Sequence, residues 1–172
     1  MEMMDIYDEN RIPLGRQRER HSPMVPGEYR LVIHVVVFDS RGRMLIQRRT
    51  HLKEAWPGRW DVTIGGGVDA GETSRQGAER EFREELGYPL SLAGEIPYVS
   101  VNFPGGFDDY YLVNLDLPLE ELRLQREEVA EVRWAEEEDV VSMIRSERFI
   151  PYPEHFIRYL FETRTTLGFP TR

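Results

Sequence analysis

The residues with the clearest chemical potential are three glutamates in "EREFREELG", residues 79–87. Glu81 lies three residues before Glu84 and four before Glu85, so a helix would set all three carboxylates on one face. Each like-charged pair at that spacing costs about 0.2–0.5 kcal/mol. Gly87 is suited to the C-cap, which places Glu84 and Glu85 at the negative end of the helix dipole, at a further cost of ~0.3–1 kcal/mol. Arg80 can pair with Glu84, and Glu79 with Arg83, whereas Glu81 and Glu85 find no basic partner within the helix. A solvated face is the commonest use of such a charge run. A cation held by the carboxylates is the alternative that removes the repulsion.

The preceding segment favours the cation. "GGGVDAGE", residues 65–72, puts three glycines directly after a strand, then Gly71 and Glu72 beside the helix start. Glycine allows positive φ and lets backbone carbonyls and amides approach a ligand closely. A glycine-rich loop alone is weak, because tight turns also use glycine. Joined to unpaired carboxylates it suits Mg²⁺, which takes oxygen ligands and retains waters.

These elements sit in a chain of 172 residues with net charge −9 and no cysteine. That length supports one good core, so the default is one domain over 1–172. The charge argues against a nucleic-acid polymer or an anionic membrane as partner. An anionic substrate is compatible only where basic side chains or metal ions neutralise the site. The missing cysteine excludes disulfides, thiolate metal sites and a cysteine nucleophile. With no apolar signal core and no run of transmembrane length, the sequence reads as a soluble, cytoplasmic protein.

Along the chain, "DIYDENRIPLGR" (5–16) suggests a hairpin turning at Asp8–Asn10 within an N-terminal extension of residues 1–29. "LVIHVVVFD" (31–39) is apolar on both faces and predicts a buried strand, with "MLIQRR" (44–49) returning as its hairpin partner. A short strand at 61–64 leads to the glycines. Thr73 and Gln76 form a capping box, and Gly87 with Pro89 ends the helix, giving roughly Ser74–Leu86. Strands are expected at 90–103, 107–117 and 129–135, and helices at 136–146 and 153–165. Strands before, between and after a few helices imply an α/β mixed sheet with helices on both faces.

The segment 66–88 resembles the Nudix box. Gly66, Glu72 and Arg80-Glu81-Phe82-Arg83-Glu84-Glu85-Leu86-Gly87-Tyr88 fill every specified position of Gly-x5-Glu-x7-Arg-Glu-U-x-Glu-Glu-x-Gly-U, where U is apolar or aromatic. The likeness extends through "WPGRWD" and "EVRWAEEED", and "DIYDENRIPLGR" is similar to the Nudix branch related to isopentenyl-diphosphate isomerase. The resemblance implies a Nudix α/β/α sandwich, a mixed sheet between helices. It implies Mg²⁺- or Mn²⁺-dependent hydrolysis of a diphosphate joined to another moiety. By the same resemblance Glu81 and Glu85 are the main metal ligands and Glu84 a further ligand or base. The Gly65 carbonyl is a backbone ligand, Arg80 orients the glutamates, and Glu72 supports the loop or joins the metal shell.

Two other functions compete. Isopentenyl-diphosphate isomerases use a "Cys-Gly-His" stretch that falls here on Gly65-Gly66-Gly67, so the cysteine and the metal-binding histidine are both glycine. His34 corresponds to another isomerase ligand or is a satisfied core residue. A non-catalytic nucleotide-binding Nudix module is the second alternative, although such modules usually lose box glutamates and none is lost here. For phosphate contacts the sequence offers Arg48, Arg49, Lys53 and Arg59. For the remainder of a substrate it offers Phe103, Phe107, Tyr110 and Tyr111 around "PGGFDD". Arg48, Arg49, Phe107 and Tyr110 are taken as the substrate-binding set, and core packing is the commoner use of such aromatics. The general base is open among Glu84, Asp108, Asp109, Glu128 and Glu131. The expected partner is a small-molecule diphosphate, with a nucleoside diphosphate derivative favoured and a homodimer compatible.

Overall fold

Alternation along β3 (Arg30–Phe38) organises the molecule. In the computed structural model, which describes residues 2–166, Leu31, Ile33, Val35 and Val37 face one hydrophobic cluster and Val36 and Phe38 face a second. Successive side chains of a strand point to opposite faces, so an apolar run with no polar face must be covered twice. Helix α1 (Ser74–Leu86) covers the first face with Ala78, Phe82 and Leu86. On the second face lie α2 (Glu137–Arg145), with Val140, Val141 and Met143, and α3 (Glu154–Thr163), with Ile157, Leu160 and Phe161. The result is the expected mixed sheet between helices.

Among the described residues the sheet has seven strands. Its main path runs β5 (Trp60–Asp61), β4 (Met44–Arg49), β3, β8 (Gly106–Asn114) and β7 (Val99–Phe103), while β6 (Ile64–Gly67) pairs β3 and β9 (Val129–Ala135) pairs β4. β3 and β8 are parallel along their whole length. A two-stranded hairpin of β1 (Met3–Tyr7) and β2 (Pro13–Glu19) turns at Asp8–Arg11, whose tight form is fixed by the Asp8 carboxylate accepting the Asn10 and Ile12 amides. Tyr7 bridges to Tyr29, and Met4 and Ile6 are buried, so the hairpin packs onto the domain.

Three sequence expectations change. "MLIQRR" meets β3 only at Phe38–Met44 and spends its length against β9, because β6 occupies the same β3 edge at Val32–Val35. Of the strand expected at 90–103, only Val99–Phe103 forms; Pro97 removes a ladder donor and Gly94 sits at φ +83°. The glycine triplet is not a loop. Gly65, Gly66 and Gly67 remain in β6, opposite His34, Ile33 and Val32.

Candidate active site

Helix α1 is capped as its sequence requires. Thr73 and Gln76 form the reciprocal box, and Gly87 closes the C-terminus in the left-handed region at φ +64°. The last carbonyls find partners outside the helix: the Gln125 amide donates to Glu85 O at 2.9 Å and the Arg123 amide to Leu86 O at 2.8 Å. Held at both ends, the helix buries a second stripe beside its apolar one. Glu81 and Glu85 are 8% and 4% exposed. Glu84, on the same face, stays half exposed. Gly66 permits this approach, since a Cβ there would lie 2.4 Å from Glu81 Cδ. The triplet's value here is close contact, not positive φ; only Gly71 of the segment adopts positive φ, at +84°.

Arg80 gathers the carboxylates. Its Nε donates to both Glu72 oxygens, Nη1 to Glu81 Oε1 at 2.9 Å and Glu84 Oε2 at 3.1 Å, and Nη2 to the Gly67 carbonyl at 2.9 Å. The expected Arg80–Glu84 pair is present. Glu81, expected to lack a basic partner on its helix, has Arg80, since the adjacent guanidinium folds back over it. Glu79 instead accepts the Leu92 amide at 2.6 Å. Burial raises the Glu72 carboxyl, but the Arg80 bonds and the Asp69 amide more than undo this and leave it below the usual range. Glu72 thus braces the loop.

Among the described residues Glu85 has no such partner. Its contact is the Gln47 amide, which donates to Oε2 at 3.0 Å. Burial, with the neighbouring Glu81 charge adding to it, pushes Glu85 up to about 8 against the opposing pull of Lys53. Burial likewise raises Glu81, opposed by Arg80. Both therefore stand where a cation would be most stabilising.

Glu81, Glu84 and Glu85 border a cleft of about 380 Å³ with Gly65, Gly66, Gly67, Arg49, Lys53, Gln125 and Glu128. Among the described residues, no group of three acidic or histidine side chains converges into a ready metal cage. Mg²⁺ needs no such cage, since it keeps several waters and takes one or two carboxylates plus substrate phosphates. Two buried carboxylates, one without a basic contact, fit that demand. Of the general-base candidates, Glu84 and Glu128 reach the cleft, with Glu128 paired to Lys53. Asp109 is buried in a bidentate pair with Arg11, Asp108 accepts from His34, and Glu131 pairs with Arg48.

The proposed substrate contacts fare unevenly. Arg49 borders the cleft. Arg48 does not: it turns to Glu131 at 2.7 Å. Phe107, 5% exposed, stacks on Tyr29 in the α1-side core. Tyr110, 3% exposed, lies flat against His34 with centroids 4.7 Å apart. Burial on alternate faces of β8 explains the aromatic pattern without a ligand. Phe107→Ala and Tyr110→Ala are accordingly expected to destabilise the fold by about 3–5 kcal/mol. Thermal denaturation checks this, and a normal melting temperature with a selectively raised KM would restore them as substrate contacts.

The sequence reading missed the hairpin's contribution. Arg20, following β2, donates to the Gly67 carbonyl at 3.1 Å and Asp69 at 2.7 Å, and its Nη2 lies 3.7 Å from Glu81. His21 and Glu2 also border the cleft. The basic alternation "RQRER" was the available signal, but nothing local ties it to a loop nearly fifty residues away.

The NUDIX domain family model matches residues 28–162. An uncharacterized Nudix hydrolase of Listeria monocytogenes is 43% identical over 171 residues, covering 98% of this chain and 100% of that protein. An isopentenyl-diphosphate Δ-isomerase of Streptomyces coelicolor is 34% identical over 133 residues, covering 74% of this chain and 68% of that one. Among crystal structures, one from Deinococcus radiodurans superposes with a TM-score of 0.73 at 22% identity over 92% of this chain and 98% of that one. A MutT protein from Methanosarcina mazei gives 0.64 at 22% identity over 80% and 96%. The chain belongs to the Nudix family and is a Nudix hydrolase, an enzyme of the pyrophosphohydrolase class. No described helix is long and apolar enough to cross a membrane.

Proposed function

We propose that the protein cleaves the diphosphate linkage of a nucleoside diphosphate derivative, using Mg²⁺ or Mn²⁺ held at Glu81 and Glu85. The observation that carries this reading is the pair of buried carboxylates on one helical face, both raised by burial and both open to one cleft. A divalent cation bound there supplies neutralisation of phosphate oxygens and a more acidic water. The chain's own groups do the rest. Arg80 fixes the direction of Glu81 and Glu84, the Gly65 carbonyl adds an oxygen at the cleft wall, and Arg49 and Lys53 bring positive charge to the phosphates. Glu84 and Glu128 are the cleft acids left to take a proton from the attacking water.

An isomerase is disfavoured by more than a missing cysteine. A Cβ at position 65 would lie 2.7 Å from His34 Nε2. That ring is 12% exposed, bonded at Nδ1 to Asp108 and at Nε2 to the Tyr152 hydroxyl, and stacked on Tyr110, so it has little room to yield. The test is phosphorus NMR of the purified protein with Mg²⁺ or Mn²⁺ and a panel of nucleoside diphosphate derivatives, together with proton NMR of the protein with isopentenyl diphosphate. Cleavage of a nucleoside diphosphate derivative is expected, with no dimethylallyl isomer. Isomer formation, or intact anhydrides throughout, would overturn the proposal.

A further inference from the structure

Gly65 and Gly66 present their missing side chains to opposite sides of β6: a Cβ at 66 would strike Glu81, and one at 65 would strike His34. At this point the strand is only backbone thick. Beyond it, on the side away from Glu81, lies a second groove of about 310 Å³. It shares Gly65, Gly66 and Arg49 with the catalytic cleft, so the two adjoin at β6. We infer that this groove, walled by Trp56, Ile150 and Val32 and floored by His34, Asp108 and Tyr152, binds the nucleoside half of the substrate while the diphosphate lies across β6 against the glutamates. The inference rests on the hydrolase reading for the diphosphate, but the groove is argued from its own features.

The first is Trp56. A large aromatic side chain is 44% exposed here, on a residue whose φ is +54°. That region costs a non-glycine residue free energy, and strain of this kind persists where the surroundings impose it. Arg49 Nε donates to the Ala55 carbonyl at 3.0 Å, tying this loop to a residue that borders both clefts. The Arg59 guanidinium sits 5.4 Å from the indole centroid, which orients the ring and occupies Arg59 away from phosphate.

The second feature is the floor. The Tyr152 hydroxyl donates to Asp61 at 2.8 Å and approaches His34 Nε2 at 3.2 Å, His34 Nδ1 meets Asp108 Oδ1 at 2.7 Å, and Arg49 lies 3.5 Å from Asp61. These bonds fix every member in place. Asp108 thereby presents a rigid carboxylate acceptor beside an aromatic wall, with Asp61 faced by Arg49 and Asp108 itself bonded to His34. Such a site has little to offer a second phosphate. It suits an uncharged planar ring that stacks on the indole and donates a hydrogen bond from an amino, ring N–H or ribose hydroxyl group.

The test compares binding of AMP and of inorganic pyrophosphate to the wild-type protein and to Trp56→Gly, without added metal, by calorimetry. Glycine accepts the positive φ, and a melting temperature close to that of the wild type checks that this variant keeps its fold. AMP affinity is expected to fall about tenfold or more, in the range of a lost base–aromatic stack, with pyrophosphate affinity as in the wild type. Trp56→Phe should recover most of the AMP affinity. Equal AMP affinity in wild type and Trp56→Gly, an equal loss for both ligands, or no AMP binding by the wild type would overturn the inference. Binding of AMP through Trp56 by a protein that cleaves no anhydride would leave the groove standing while the hydrolytic reading fails.

Discussion

Replacing Glu85 with Gln is expected to lower hydrolysis on the order of 10²–10³-fold while stabilising the metal-free protein. The two effects share one cause. Glu85 is buried, faces Glu81 and Glu128, and is opposed only by Lys53 and the Gln47 amide, so its carboxyl rises from 4.5 to about 8. The folded state then holds a proton that the unfolded chain has already released. Stability of the metal-free protein must therefore fall as pH rises from 4.5 towards about 8. A divalent cation reverses the sign, because a bound ion favours the ionised carboxylate. Melting curves in chelator across that window should show the decline in the wild type and a flatter profile in Glu85→Gln, which keeps the Gln47 contact without the charge. Identical slopes would remove Glu85 as the buried acid responsible.

Gly66→Ala is expected to lower activity about 10²-fold, the cost of roughly an ångström of misplacement at a reacting site. The backbone at Gly66 does not occupy the positive-φ region, so alanine strains nothing in β6 itself. Its methyl, however, would stand 2.4 Å from Glu81 Cδ and 2.5 Å from Oε1. Glu81 must swing away, and with it the bond that Arg80 makes at 2.9 Å. Disturbing such an orienting partner typically costs 10–100-fold in metal affinity. Steady-state kinetics with a Mn²⁺ titration of the same variant would separate the two losses. A variant that folds and turns over as the wild type does would show that Glu81 need not sit where Gly66 allows it.

Much of this was legible because it is local. The spacing of Glu81, Glu84 and Glu85, the Thr73–Gln76 box and the Gly87 stop all act within one helix, and the apolar run of β3 announced a strand buried on both faces. Strand pairing was not legible to the same degree, since β6 and β4 share one β3 edge and only three-dimensional register decides how. The aromatics of β8 allowed two readings for a related reason. Alternating Phe107, Tyr110 and Tyr111 satisfy two cores as readily as one ligand, and burial chose the cores. Arg20 and Gln47 were invisible beside the carboxylates because their partners lie far along the chain.

The central claim, that Glu81 and Glu85 hold the divalent cation, is tested most directly by titrating Mn²⁺ into the protein and following the paramagnetic resonance signal of the free ion. The wild type should withdraw free Mn²⁺ saturably, and Glu81→Gln and Glu85→Gln should each lose that uptake while melting at or above the wild-type temperature in chelator. Uptake by both folded variants equal to that of the wild type would contradict the assignment.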